Sequence, residues 1–123
     1  MPKVLIVDDS LSDAALAAGL LRKHGCDCEC LHDGTQVLSR VRAGRPDLIL
    51  LDVVMYQQNG FDTCRKLKDD PETGDVPVVF MTARSNDGDK LWAQKIGAAA
   101  YVCKPFTPDE LYAAVDQGLK SRP

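Results

Sequence analysis

Four apolar runs in this chain each stop on a polar side chain. "VLIV" is followed by Asp8 and Asp9, "LILL" by Asp52, "VPVVFM" by Thr82 and "AAAYVC" by Lys104. A strand that faces water on one side alternates apolar and polar residues. An unbroken apolar run fits a strand covered on both faces, as in a parallel sheet between two layers of helices. The first two runs are of that unbroken kind, so the polar residues that end them are expected together at one edge of a sheet.

The rest of the chain alternates strand and helix. Strands are expected at Lys3–Val7, Cys26–Leu31, Asp47–Leu51, Val76–Met81 and Ala100–Cys103. The first helix, "SLSDAALAAGLLRKHG", has Ser10 as N-cap, Asp13 in its first turn, apolar Leu16, Leu20 and Leu21, and Gly25 as its stop. "GTQVLSRVRAG", "GFDTCRKLKDD" and "DGDKLWAQKIG" give the next three. "TPDELYAAVDQGLK" gives the fifth, with Thr107, Pro108 and Glu110 forming a capping box. Five βα units predict an α/β fold of the flavodoxin-like, doubly wound (βα)5 kind, a parallel five-stranded sheet between helices. The strand order 2-1-3-4-5 puts the wetter "CDCECL" strand at an edge, and ligands gather beyond the carboxyl ends of strands 1 and 3.

The chain's 123 residues make one domain spanning 1–123. Its net charge of -3 argues against a basic nucleic-acid face. No apolar run approaches the roughly 20 residues of a membrane span and no signal peptide is visible, so a cytoplasmic protein is expected. Cys26, Cys28 and Cys30 alternate at roughly 6.5–7 Å along one strand face, wide for sulfurs sharing one zinc. They read as small buried hydrophobes, with a redox role as the lesser alternative.

Asp8, Asp9 and Asp52 in one cleft would repel one another, so they need a cation, and oxygen-only ligands select a hard one such as Mg²⁺. Lys104 adds an ammonium and Thr82 a hydroxyl. Cation, ammonium and hydroxyl together make a receptor for a phosphoryl group, and one carboxylate could be its nucleophile. Taken singly, each residue has a plainer reading. The Asp8–Asp9 pair could serve the first helix's dipole, Thr82 could be a strand-end hydroxyl, Lys104 a solvated lysine and Tyr101 part of the core.

"VLIVDDS", "LILLDVVM...NG", "FMTA" and "YVCKPF" resemble, in order and spacing, the motifs of response-regulator receiver domains (CheY-like) of two-component signalling. The resemblance covers essentially the whole chain. It implies that Asp52 is the phosphoacceptor, assisted by Lys104 and Thr82. It implies that Asp8, Asp9, Asp52 and the backbone carbonyl of Val54 hold Mg²⁺, and that Lys104–Pro105 is a cis peptide. Thr82 and Tyr101 would form the switch. The protein would be a phosphoacceptor rather than an enzyme, with at most weak autophosphorylation and autophosphatase activity.

The implied partners are a sensor histidine kinase or phosphotransfer domain, and a downstream protein docking on the fourth helix, fifth strand and fifth helix. The oligomeric state would be a monomer or a phosphorylation-dependent dimer. No membrane is involved. Because "LKSRP" follows the fifth helix directly, no nucleic-acid binding in cis is expected. "DKLWAQKIGA", with Trp92, resembles stand-alone regulators of type IV pilus and chemotaxis systems. The alternatives are a receiver excised from a longer regulator or hybrid kinase, and a phosphate sink. A flavodoxin-like electron carrier would need a Ser/Thr/Gly-rich loop where "DDSLSD" stands. A haloacid-dehalogenase-type phosphatase would need DxD there. Met55–Tyr56 departs from the family's usual Met-Pro and predicts a less rigid loop after Asp52. Arg84 is placed to screen the phosphoryl group or meet a partner.

Overall fold

The structure, a computed structural model, describes residues 1–122, so Pro123 of the expected domain lies outside the described residues. Its main sheet has strands β1 (Lys3–Val7), β2 (Asp27–Leu31), β3 (Leu48–Leu51), β4 (Val78–Thr82) and β5 (Ala100–Cys103), all parallel, in the order β2-β1-β3-β4-β5. Helices α1 (Leu11–Lys23), α2 (Val37–Gly44), α3 (Gly60–Asp69), α4 (Asp87–Lys95) and α5 (Pro108–Lys120) connect and cover it. Fold class and strand order are those expected. Among the described residues, no helix is long and apolar enough to cross a membrane.

The unbroken runs divide their residues between two cores. Val4, Ile6, Leu48, Leu50, Val79 and Met81 face α1 and α5. Their neighbours Leu5, Val7, Ile49, Leu51, Val78 and Phe80 face α2, α3 and α4. Alternation along a strand thus buries every residue of the run, because both faces are covered. Edge strand β2 is wetter, and Cys28 and Cys30 lie half-buried on the α1 side, with Cys26 buried just before the strand.

Three strand starts move from their expected positions. Cys26 turns its amide back to Leu21 O of α1 (3.0 Å), so β2 begins at Asp27. Asp47 uses its carboxylate on the Lys3 amide (2.7 Å), and β3 begins at Leu48. Pro77 offers no amide and Val76 donates to Thr73 O (3.1 Å), so β4 begins at Val78 and runs on through Thr82. In α1 the buried face is Ala14, Ala17, Ala18 and Leu21, while Leu16 is exposed. Those alanines share a core with Val4 and Ile6 of β1. The helix α2 ends on Gly44, but the left-handed cap is Arg45 at φ 45°. The capping box of α5 forms as expected, with the Glu110 amide donating to Thr107 Oγ1 (3.1 Å) and the Thr107 amide to Glu110 Oε1 (2.8 Å).

Register sets the site. Val7 pairs with Leu51, which places Asp8 and Asp52 side by side, and the Asp52 amide donates to Val7 O (3.0 Å). Thr82 pairs with Cys103, and the Lys104 amide donates to Thr82 O (2.8 Å). After Asp52 the chain makes a small hairpin, Val54–Met55 against Gln58–Asn59, and returns at Gly60, whose amide donates to Val53 O (2.8 Å). A Cβ on Gly60 would lie 2.1 Å from Asp52 O and 2.7 Å from Val53 Cα. Both are backbone atoms that no side-chain rotation can clear. Gly60→Ala is therefore expected to cost about 1–3 kcal/mol, as overpacking does, and to move the Asp52 amide resonance. Urea unfolding and a backbone NMR spectrum check both; unchanged stability with an unmoved Asp52 would refute the close approach.

Candidate functional site

The residues ending β1, β3 and β5 meet at Lys104. Its Nζ donates to Asp8 Oδ2 at 2.7 Å, Asp13 Oδ2 at 2.8 Å and Asp52 Oδ2 at 2.9 Å. Asp8 is fully buried and Asp52 is 6% exposed. Burial pushes the Asp8 carboxyl above its ordinary range, an effect that Lys104 and the Ser10 amide offset only in part. Burial also pulls the Lys104 ammonium down, but its bonds to Asp13, Asp8 and Asp52 outweigh that and hold it above the usual lysine value. At neutral pH the lysine is a fixed cation among acids.

The second Asp52 oxygen, Oδ1, accepts from the Val54 amide at 3.1 Å. Val54 thus meets the site through its N–H, and its side chain is exposed. Asp9 lies at the rim, where its Oδ2 accepts from the Tyr56 amide at 2.7 Å. That bond bears on the expectation of a looser loop: the residue that replaces the family's proline brings an N–H that proline lacks, and the N–H ties the hairpin tip to β1's acidic end.

Thr82 is fully buried, and its Oγ1 accepts from the Arg84 amide at 3.3 Å. The Tyr101 hydroxyl donates to Arg84 O at 2.6 Å, while its ring tilts against Phe80 with centroids 6.0 Å apart. Burial, reinforced by the Asp89 carboxylate, pushes the Tyr101 phenol up to about 12, so its hydroxyl remains a donor. Arg84 does not screen the pocket in this structure. Its guanidinium is held in two bonds by Asp89 in the first turn of α4, at 2.7 and 3.1 Å. Lys104–Pro105 is cis.

Asp8, Asp52, Lys104 and Thr82 are thus gathered at the carboxyl edge, with Asp9, Val54 and Tyr101 around them. Asp13 is the residue that sequence reasoning placed only in a helix turn. Its signal was its position: the third residue after N-cap Ser10, in the first turn of a helix that begins just beyond Asp8 and Asp9. Asp8, Asp13 and Asp52 set three carboxylates against one ammonium, with Asp9 nearby. This all-oxygen donor set with excess negative charge fits a hard divalent cation. Among the described residues, no three acidic, thiol or imidazole side chains form a ready-made cation cage. Lys104 and the Tyr56 amide occupy the acids instead. The thiols form no such group either. All five cysteines are free, and burial pushes Cys28 and Cys64 up to about 11, which keeps them as thiols.

Residues 4–116 match the family described as response regulator receiver domain. Among curated proteins the chain is 42% identical over 118 residues to the DNA-binding response regulator MtrA of Mycolicibacterium paratuberculosis, covering 96% of this chain and 51% of MtrA. The chain thus spans about half the length of the MtrA relatives it matches. It is 34% identical to Protein PilH of Pseudomonas aeruginosa over 97% of this chain and 98% of PilH. Among solved structures, a putative response regulator from Chloroflexus aurantiacus superposes with a TM-score of 0.91 at 28% identity, covering 97% of this chain and 98% of that one. The chemotaxis protein CheY4 of Vibrio cholerae gives 0.88 at 28% identity, over 96% and 98%. A match that begins in the first strand and ends in the last helix makes this chain a member of the response regulator receiver domain family, the phosphoacceptor switches of two-component signalling.

Proposed function

We propose that this receiver takes a phosphoryl group from a histidine kinase or phosphotransfer domain onto Asp52. The observation that supports it most is the Lys104 ammonium held between the buried Asp8 and Asp52, at 2.7 and 2.9 Å. Asp52 is fixed at both oxygens, by Lys104 and by the Val54 amide. One of them attacks phosphorus in line. The N–P bond of the donor phosphohistidine breaks, its electron pair returns to the imidazole nitrogen, and that nitrogen takes up a proton. Lys104 then bonds an oxygen of the transferred group.

Receiver domains generally bind Mg²⁺ at their acidic site, and here Asp8, Asp9, Asp52 and the Val54 carbonyl would hold it. When bound, the ion neutralises charge on the phosphoryl oxygens. Asp9 would exchange the Tyr56 amide for the ion.

The switch reading rests on Arg84. Thr82 holds its amide and Tyr101 its carbonyl. When Thr82 moves toward the phosphoryl group to donate its hydroxyl to it, Arg84 loses one of its two backbone anchors. Its guanidinium carries the change to Asp89 and α4. Two arrangements exist beforehand, and phosphorylation shifts the balance between them. The surface of α4, β5 and α5 then meets a downstream protein, and Leu91 and Trp92 are exposed on α4. Two readings of the wider protein are favoured by different relatives. PilH matches this chain nearly end to end, as a stand-alone regulator would, while the MtrA relatives are twice as long, as a receiver within a larger regulator would be.

Intact-mass analysis after incubation with acetyl phosphate and Mg²⁺ should show one phosphoryl adduct, absent in Asp52→Asn and without Mg²⁺. An adduct that survives Asp52→Asn would move the acceptor elsewhere. Thr82→Ala should still form the adduct, but the NMR shifts of Tyr101 and α4 on phosphorylation should shrink strongly. Full-sized shifts in that variant would detach Thr82 from the switch.

A further inference from the structure

An ammonium has three N–H donors, and those of Lys104 reach three carboxylates here. Asp8 and Asp52 come from strand ends, while Asp13 comes from α1. Asp13 is not loosely placed. Its amide donates to the capping Ser10 Oγ at 3.3 Å, and the Ser10 amide in turn donates to Asp8 Oδ1 at 2.9 Å. The first turn of α1 and the end of β1 thus present Asp13 and Asp8 to Lys104 as one unit.

We propose that Asp13 is a positioning residue that holds Lys104 in the resting site and competes with the phosphoryl group for its third donor. The inference rests on the phosphoacceptor reading above. The three partners differ in what losing the ammonium would cost. The side chain of Asp8 is fully buried and that of Asp52 is 8% exposed, whereas that of Asp13 is 43% exposed. Water can take over from Lys104 at Asp13 but not at Asp8. Phosphorylation changes the demand on the lysine. The acylated Asp52 oxygen loses its carboxylate charge, and a group with several charged oxygens arrives beside it. Lys104 passes its Asp52 donor to that group, and a second bond to it draws on the donor now held by Asp13. The Asp13 side chain is then released from the pocket, while the Ser10 cap stays on Asp8. Asp13 therefore weakens phosphoryl binding and couples α1 to the occupancy of the site.

The test is titration of the whole chain with beryllofluoride, a non-transferable phosphoryl mimic, in saturating Mg²⁺, followed by backbone and lysine-ammonium NMR. Asp13→Asn is expected to bind the mimic roughly three- to ten-fold more tightly than wild type, the range for one charge-assisted contact to a half-exposed carboxylate. Asp13→Glu, which keeps charge and acceptor, should stay near wild type. In wild type, the Asp13 side-chain carboxyl resonance should move on binding the mimic. Equal or weaker binding by folded Asp13→Asn, with Asp13→Ala behaving alike, would overturn the proposal. So would a gain that vanishes at 0.5 M salt, since long-range charge is screened there while a direct contact survives. If wild type ignores the mimic, or Asp52→Asn binds it equally well, the phosphoacceptor reading itself falls, and this inference falls with it.

Discussion

One ammonium makes the carboxyl edge of the sheet possible. Without Lys104, burying Asp8 and setting Asp52 beside it would place like charges together out of water, and one of the two carboxyls would have to take up a proton or find another counter-charge. The lysine can serve because it follows the last strand, and the β4–β5 register carries it past Thr82. The acids can be served because Val7 and Leu51 are paired neighbours. Gly60 then lets the chain return over Asp52 at backbone contact. The electrostatics of the pocket are thus a result of strand register and one missing Cβ.

The same economy recurs in the loop after β4. Arg84 is gripped at its amide by one strand-end residue and at its carbonyl by an aromatic from the neighbouring strand, and its side chain is clamped to α4. Three elements therefore share a single residue, and the proposed switch needs no long chain of intermediates. Two of the three links are peptide groups, which cannot rotate independently of the chain that carries them, and the third is the Arg84 guanidinium.

Most of this was legible in the sequence, for a physical reason. Unbroken runs such as "LILL" are expected where two faces are covered, and that identifies a parallel sheet, its central strands and the edge where ligands collect. The polar residue ending each run then names the pocket: Asp8, Asp52, Thr82 and Lys104 are where that logic puts them. What escaped depends on tertiary detail. Leu16 fits a helical apolar pattern, yet the face of α1 buried against the sheet is made by Ala14, Ala17, Ala18 and Leu21. Asp13 is an ordinary first-turn acid until the lysine from the far end of the chain is seen beside it. The Arg84–Asp89 clamp and the Asp9–Tyr56 bond depend on where two loops come to rest, which no periodicity encodes.

Trp92 gives the molecule a property of another kind. It is the only tryptophan in the chain; it stands on α4 at 43% exposure, with the Arg65 guanidinium of α3 6.0 Å from its ring centroid. Its emission therefore originates from one place, the helix to which Arg84 is clamped, with a cation nearby to perturb the indole's excited state. The protein carries its own fluorophore at the end of its proposed signalling path, and a rearrangement of α4 around Trp92 would be readable optically in the unlabelled chain.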